Sequence, residues 1–311
     1  MTRVAALGVI VVASAACGLS SSPTTSGENT IADAGPDAVT DCPSAREGDA
    51  YACAEARFWA AFRQAGLPAR KDAELILIAV IAANRSPADQ RGSALMHFRL
   101  AQLRLAMSLE NGQRDYVIHS NDMIVGELDR ATTLDAYDGI IAPWKDAMQI
   151  ATAAILGDWG EAVKLANRGF DNIALNPLGN TLSLSGTTIG FPMSTGVPAR
   201  TASFLDRWRC AGVVWCDANT EHAPYARPGL GYHFAEAYAR VGDADKAKRY
   251  LTEALSAPGT DTWPYKYIAE RAAADVGAFV KRFADLGADG SAFDVVYANQ
   301  PYGCLFCHAK P

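Results

Sequence analysis

The chain carries no basic stripe and no long run of like charge. Lys and Arg number 28 against 34 Asp and Glu, a net charge of −6, so contact with nucleic acid is not expected. After residue 17 it has no apolar run long enough to cross a bilayer. The longest, Leu75 to Ala83, is cut short by Asn84-Arg85 and predicts a core helix buried on most sides. Alternating β-branched patterns are scarce, which argues against sheets. Gly-x-Ser-x-Gly, His-Glu-x-x-His and a phosphate-cradling Gly loop are all missing, so no catalytic group is named.

What remains is a helical pattern. Hydrophobic residues make up 50% of the chain, and its body is long enough for a substantial core. Tyr51 to Gly66 places Phe58, Trp59 and Phe62 on one face, with Gly66-Leu67-Pro68 as its stop. A helix over 71–84 follows. Ser86-Pro87 reads as an N-cap with Pro at the first helical position, opening a long helix to about Glu110. Within it Met96, Leu100, Leu103 and Met107 recur at helical spacing. Further helices are predicted over 113–133, 142–156 and 159–174. Asn176 to Gly229 is rich in Gly, Ser, Thr and Pro, with a short helix expected over 201–209. It is read as an insertion, stapled near Trp208 and Trp215 and either decorative or ligand-binding.

Phe234-Ala235-x-x-Tyr238, Gly242-Asp243, Ala247, Leu251, Ala254-Leu255 and Pro258 resemble a tetratricopeptide repeat. Gly231 stands where the family has Trp. Leu156-Gly157-Asp158-x-x-x-Ala162 is a weaker echo, out of phase with the 34-residue period. The resemblance implies helical hairpins whose small residues let paired helices approach. The expected fold is all-α, an irregular tetratricopeptide-like helical-hairpin solenoid with a long disulfide-stapled insertion.

The N-terminus predicts export. Arg3 precedes an apolar stretch from Val4 to Ala13, and Ser14-Ala15-Ala16-Cys17 resembles a bacterial lipobox, which implies lipidation of Cys17. Ser14 stands where that family usually has Leu, and ordinary cleavage after Ala15 or Ala16 is the alternative. Gly18 to Asp41 has the composition of a disordered tether. Gly18 is not the Asp that resembles an inner-membrane retention signal, so the expected location is the outer membrane, facing the periplasm or the exterior. The lipid would be the chain's only contact with a membrane. The expected organisation is a signal peptide over 1–17, a tether over 18–45, a helical repeat-like domain over 46–290 with an insertion at about 176–229, and a tail over 291–311.

Of 7 cysteines, Cys17 belongs to the lipobox and the others form close pairs. Cys42/Cys53 and Cys210/Cys216 are expected as small-loop disulfides in an oxidising compartment, with free core cysteines as the alternative. The third pair lies in Cys304-Leu305-Phe306-Cys307-His308, the CxxCH signature of c-type haem attachment. There Cys304 and Cys307 would form thioethers to haem vinyl groups and His308 would ligate iron. Tyr302, Leu305 and Phe306 could cover a porphyrin face, and the terminal position implies an exposed haem. Cytochromes of the four-helix-bundle type also carry the motif late. Their motif helix continues beyond the histidine, whereas here Pro311 follows at once.

The sixth iron ligand has several candidates: His222, His233, His119, His97, Met193 and Met148, or an open position. A redox-active CxxC would need a βαβ context that this pattern lacks. Zinc at Cys210, Cys216 and His222 has suitable ligand types but irregular spacing. The expected function is an envelope lipoprotein with one covalent haem c, passing electrons to a redox partner protein; that is a carrier more than an enzyme. The alternative is a non-haem helical-repeat lipoprotein for protein interaction or ligand binding, with Cys304–Cys307 a disulfide.

Overall fold

A computed structural model describes residue 42 and residues 47–64, 66–83, 90–111, 114–135, 141–172, 188, 190–208, 222–284 and 305–309. Among the described residues the chain is helical and has no strand. The helices are α1 (Glu47–Phe62), α2 (Leu67–Ala83), α3 (Gln90–Asn111), α4 (Arg114–Leu134), α5 (Ile141–Ile155) and α6 (Trp159–Asn172). They continue as α7 (Val197–Trp208), α8 (Ala226–Arg240), α9 (Ala244–Ser256), α10 (Lys266–Ala274), α11 (Val276–Ala284) and the one-turn α12 (Leu305–His308). The helices expected over 51–66, 71–84, 113–133, 142–156, 159–174 and 201–209 appear as α1, α2, α4, α5, α6 and α7. Ser86-Pro87 lies outside the described residues.

Two apolar cores share one wall. Met96, Leu100 and Leu103 of α3 pack with Phe58, Trp59 and Phe62 of α1 and with Leu77 and Val80 of α2. Ala94, Phe98, Ala101 and Leu105 of α3 turn the other way, into a larger core that runs through α4 to α12. Each set keeps steps of three and four, so α3 presents two apolar faces rather than one. A fully buried Leu or Met in such a wall stabilises the fold by about 1.5–3 kcal/mol.

Burial on two sides leaves His97, Arg99 and Arg104 of α3 largely inside the protein, paired with carboxylates. The Arg99 side chain is 0% exposed and donates to Glu55 of α1 at 3.0, 3.0 and 2.6 Å. Its remaining donor reaches Gln102 at 2.8 Å, and its guanidinium lies 4.6 Å from the Trp59 ring centroid. Arg104 joins Glu74 of α2 at 2.8 Å to Glu127 of α4 at 2.9 Å. Glu127 also meets His97 at 2.6 Å and Arg130 at 2.6 Å. Burial pushes the Glu127 carboxyl up, but the His97 hydrogen bond and the charges of Arg130, His97 and Arg104 prevail and hold it below its usual value.

Two corners share one chemistry. Gly157 ends the α5 side at φ +80°, and Asp158 Oδ1 accepts the Glu161 N–H at 3.0 Å to cap α6. Gly242 does the same at φ +78°, with Asp243 Oδ1 accepting from Lys246 at 3.0 Å to cap α9. Ala235, Ala247 and Ala254, expected at a close helix crossing, are each 0% exposed where α8 packs on α9. A Cβ built at Gly231 would lie 3.0 Å from Ala254 Cβ, so the position expected to hold Trp is one where a side chain has no room.

Three expectations need comment. α2 is not buried on most sides: Leu75 is 66% exposed and Ile78 40%, and among the described residues the helix packs chiefly on α1 and α3. The described parts of 176–229 are not set apart from the body, since Phe191, Val197, Leu205 and Tyr225 lie in the larger core. Cys42 and Cys53 form the expected disulfide, their Cα atoms 5.6 Å apart. Cys17, Cys210, Cys216, Trp215 and the tether apart from Cys42 lie outside the described residues. No described helix is long and apolar enough to cross a membrane.

Removing Glu55 would strand the Arg99 charge in a dry site, whereas removing Arg99 would leave Glu55 at 24% exposure, where water can reach it. We therefore predict that Glu55→Ala costs about 3–5 kcal/mol in urea unfolding and Arg99→Met distinctly less. Glu127 gives a pH signature. Its lowered value means its contribution is full above the ordinary carboxyl value of 4.5 and is lost as pH falls through the folded-state value. The stability gap between wild type and Glu127→Gln should therefore narrow progressively on acidification below that point.

Candidate functional site: the seat of the CxxCH tail

The described end of the tail is buried. Phe306 is 4% exposed, Cys307 8%, His308 1% and Ala309 7%. Their burial follows from an aromatic socket that the sequence disperses over distant segments. Phe306 lies between Tyr265 at 4.7 Å, Tyr232 at 5.5 Å and Trp263 at 6.1 Å between ring centroids. The backbone is held as well: Trp263 Nε1–H donates to the Phe306 carbonyl at 2.8 Å, and the Tyr225 N–H donates to the Cys307 carbonyl at 3.1 Å.

Gly229 of α8 makes this approach possible. A Cβ there would stand 2.6 Å from Cys307 Sγ and 2.9 Å from the Phe306 carbonyl oxygen. Any larger residue would collide with the tail. Cys307 is buried, and its sulfur is enclosed against α8. Cys304 lies outside the described residues, as do Tyr302 and the Leu305 side chain.

His308 reaches the opposite wall, formed by α1. Its ring centroid lies 5.6 Å from Trp59 and 5.7 Å from Phe62. Its Nδ1 is 2.5 Å from the backbone carbonyl of His222. A carbonyl can only accept, so Nδ1 carries the proton of this hydrogen bond. Trp59 is fixed in turn by donating Nε1–H to Glu55 at 2.8 Å, and the His222 ring stacks on it at 4.4 Å with 2° between the planes. Thus α12 touches α8 on one side and α1 on the other.

The other candidate ligands are mostly elsewhere. His97 is engaged with Glu127, His233 Nδ1 stands 3.8 Å from Glu236, Met148 is buried in the larger core, and Met193 is 38% exposed. The side chain of His119 lies outside the description. His222 is beside His308, but its carbonyl occupies the Nδ1 side of the imidazole. A metal at Nε2 would stand on the far side of that ring. Among the described residues no three His, Cys, Asp or Glu side chains group to hold a metal ion. Trp59, Phe62, Gly229 and Trp263 read in the sequence as ordinary core or helix residues. No spacing rule links them to residues near the C-terminus.

The donor types fit a c-type haem: the Cys307 sulfur, and beside it an imidazole whose Nδ1 is held by the His222 carbonyl. Compared with protein-family models, curated proteins and solved structures, the chain matches none.

The Gly229 seat can be probed through its thiol. In a Cys304→Ser background, Gly229→Ala should unseat the tail, raise the reaction rate of Cys307 with an aromatic disulfide reagent by at least about tenfold, and cost about 1–3 kcal/mol.

Proposed function

We propose that this is an exported lipoprotein of the bacterial envelope that carries one haem c on an all-α, tetratricopeptide-like scaffold. Cys304 and Cys307 supply the thioethers and His308 the iron ligand, and the protein exchanges electrons with a redox partner. Lipidation at Cys17 anchors it, with the outer membrane as the favoured location. The carrying observation is the His308 Nδ1–H bond to the His222 carbonyl, 2.5 Å. It supports the reading because it orients the imidazole beside a CxxCH cysteine through Nδ1, as second-shell bonds do for metal-ligating histidines. Bound haem supplies one-electron chemistry. The chain's own residues orient His308, exclude water from it, and surround it with aromatic rings.

The burial of residues 306–309 favours a second reading. In it the tail is a structural clasp on a non-haem helical-repeat lipoprotein, and the helical surface binds a protein or ligand. The sharp corners at Gly157-Asp158 and Gly242-Asp243 suit stacked helical hairpins in either case.

Pyridine haemochrome spectroscopy decides between them, on full-length protein made in a host with haem-attachment machinery. We expect a c-type band that disappears in Cys304→Ala/Cys307→Ala. Colourless wild-type protein with an unmodified tail mass would overturn the haem reading and leave the clasp.

A further inference from the structure

A cleft of about 230 Å³ opens between α8, α10 and α11. Tyr232 and Glu236 of α8 form its floor, Ile268 and Phe279 stand in its walls, and Arg271 and Arg282 in its rim. That volume corresponds to about seven waters, or to one ring-sized organic molecule.

The charges are layered. At the floor, the Glu236 side chain is 3% exposed, 3.8 Å from His233, and hydrogen-bonded to the Tyr232 hydroxyl. Burial first, and then the Glu236 carboxylate, push the Tyr232 hydroxyl well above its usual value; Arg282 and Arg271 act in the opposite sense. Both guanidinium charges therefore reach the cleft floor from outside. Asp275, also at the opening, is engaged in capping α11, its Oδ1 accepting the Ala278 N–H at 2.8 Å. Arg271 is exposed and forms no ion pair among the described residues.

This layering constrains a ligand. A buried carboxylate at the bottom repels any anion that goes deep, while two arginines at the rim attract one. Apolar walls between them reward hydrocarbon. We propose that the cleft binds a small organic carboxylate with an apolar or aromatic body, its charge held by Arg271 and Arg282 and its body against Ile268 and Phe279. This site goes beyond the haem reading and does not depend on it. The Tyr232 ring is the partition between the two, since its other contact is the stack on Phe306.

Isothermal titration of the full chain with benzoate, phenylacetate and hexanoate tests the proposal, with benzamide and inorganic phosphate as controls. At least one carboxylate should bind, and benzamide and phosphate should each bind at least about tenfold more weakly. Arg271→Gln/Arg282→Gln, at exposed positions, should lose at least about tenfold in affinity with helix content unchanged. Ala278→Trp, also exposed, should block the cleft sterically and abolish binding without touching either charge. The proposal is overturned if no carboxylate binds, if benzamide or phosphate binds as well, or if Ala278→Trp binds like wild type. A protein without haem that still binds carboxylate would sink the electron-carrier reading and leave this one standing.

Discussion

Burial of α3 from both sides is the constraint on which the rest depends. A helix covered on two faces has nowhere to place charged side chains except inside. Arg99 and Arg104 of α3 are therefore matched by carboxylates from three other helices: Glu55 on α1, Glu74 on α2 and Glu127 on α4. Such pairs add little net stability over well-packed apolar residues, because both charges are desolvated. Their effect is on specificity. A slip of α3 by one residue against α1 would leave Arg99 without its partner in a dry site, so only one register is tolerated. That register places Trp59, and Trp59 forms the wall that receives His308.

The tail depends on the same arrangement. His308 meets a ring whose position is set by Glu55 and Arg99, and Cys307 meets α8 where a glycine removes the Cβ. The two contacts draw on different cores, so α12 acts as a bridge between them. Burying Phe306 and His308 favours closure on its own, whether or not a cofactor is attached. A c-type haem at this place would sit where the protein is most constrained, which suits electron exchange because a rigid site reorganises little.

Much of this was legible in the sequence, and the failures have physical causes. Strong helical periodicity marked α1 to α6, and the Gly-Asp corners marked two turns, since both are local signals. Degree of burial was not local. The run from Leu75 to Ala83 is as apolar as a fully buried helix, yet its surroundings cover only one side. The burial of the described tail residues was not legible either. Their cover comes from α1, α8 and the Trp263 turn, a long-range pairing that no spacing reveals. CxxCH identified Cys307 and His308 as a pair, but the acceptor for His308 Nδ1 is a backbone carbonyl, and no side-chain motif can encode that.

Whether the tail and the cleft influence one another turns on α8. From Pro228 to Arg240 every residue of that helix is buried, and Arg240 ties its end to the Phe283 and Phe191 carbonyls at 2.7 and 3.0 Å. A helix packed on all sides and pinned at its end does not shift in small increments, so it is a poor lever. Coupling needs an element with two arrangements that both sites bias differently. The α8 backbone offers no such element, but the Tyr232 ring is in contact with both sites: it stacks on Phe306 and lines the cleft. That ring is the direct contact between them, and its hydroxyl, tethered to Glu236, restrains the ring from turning. Two sites can therefore share a wall here and remain nearly independent in free energy.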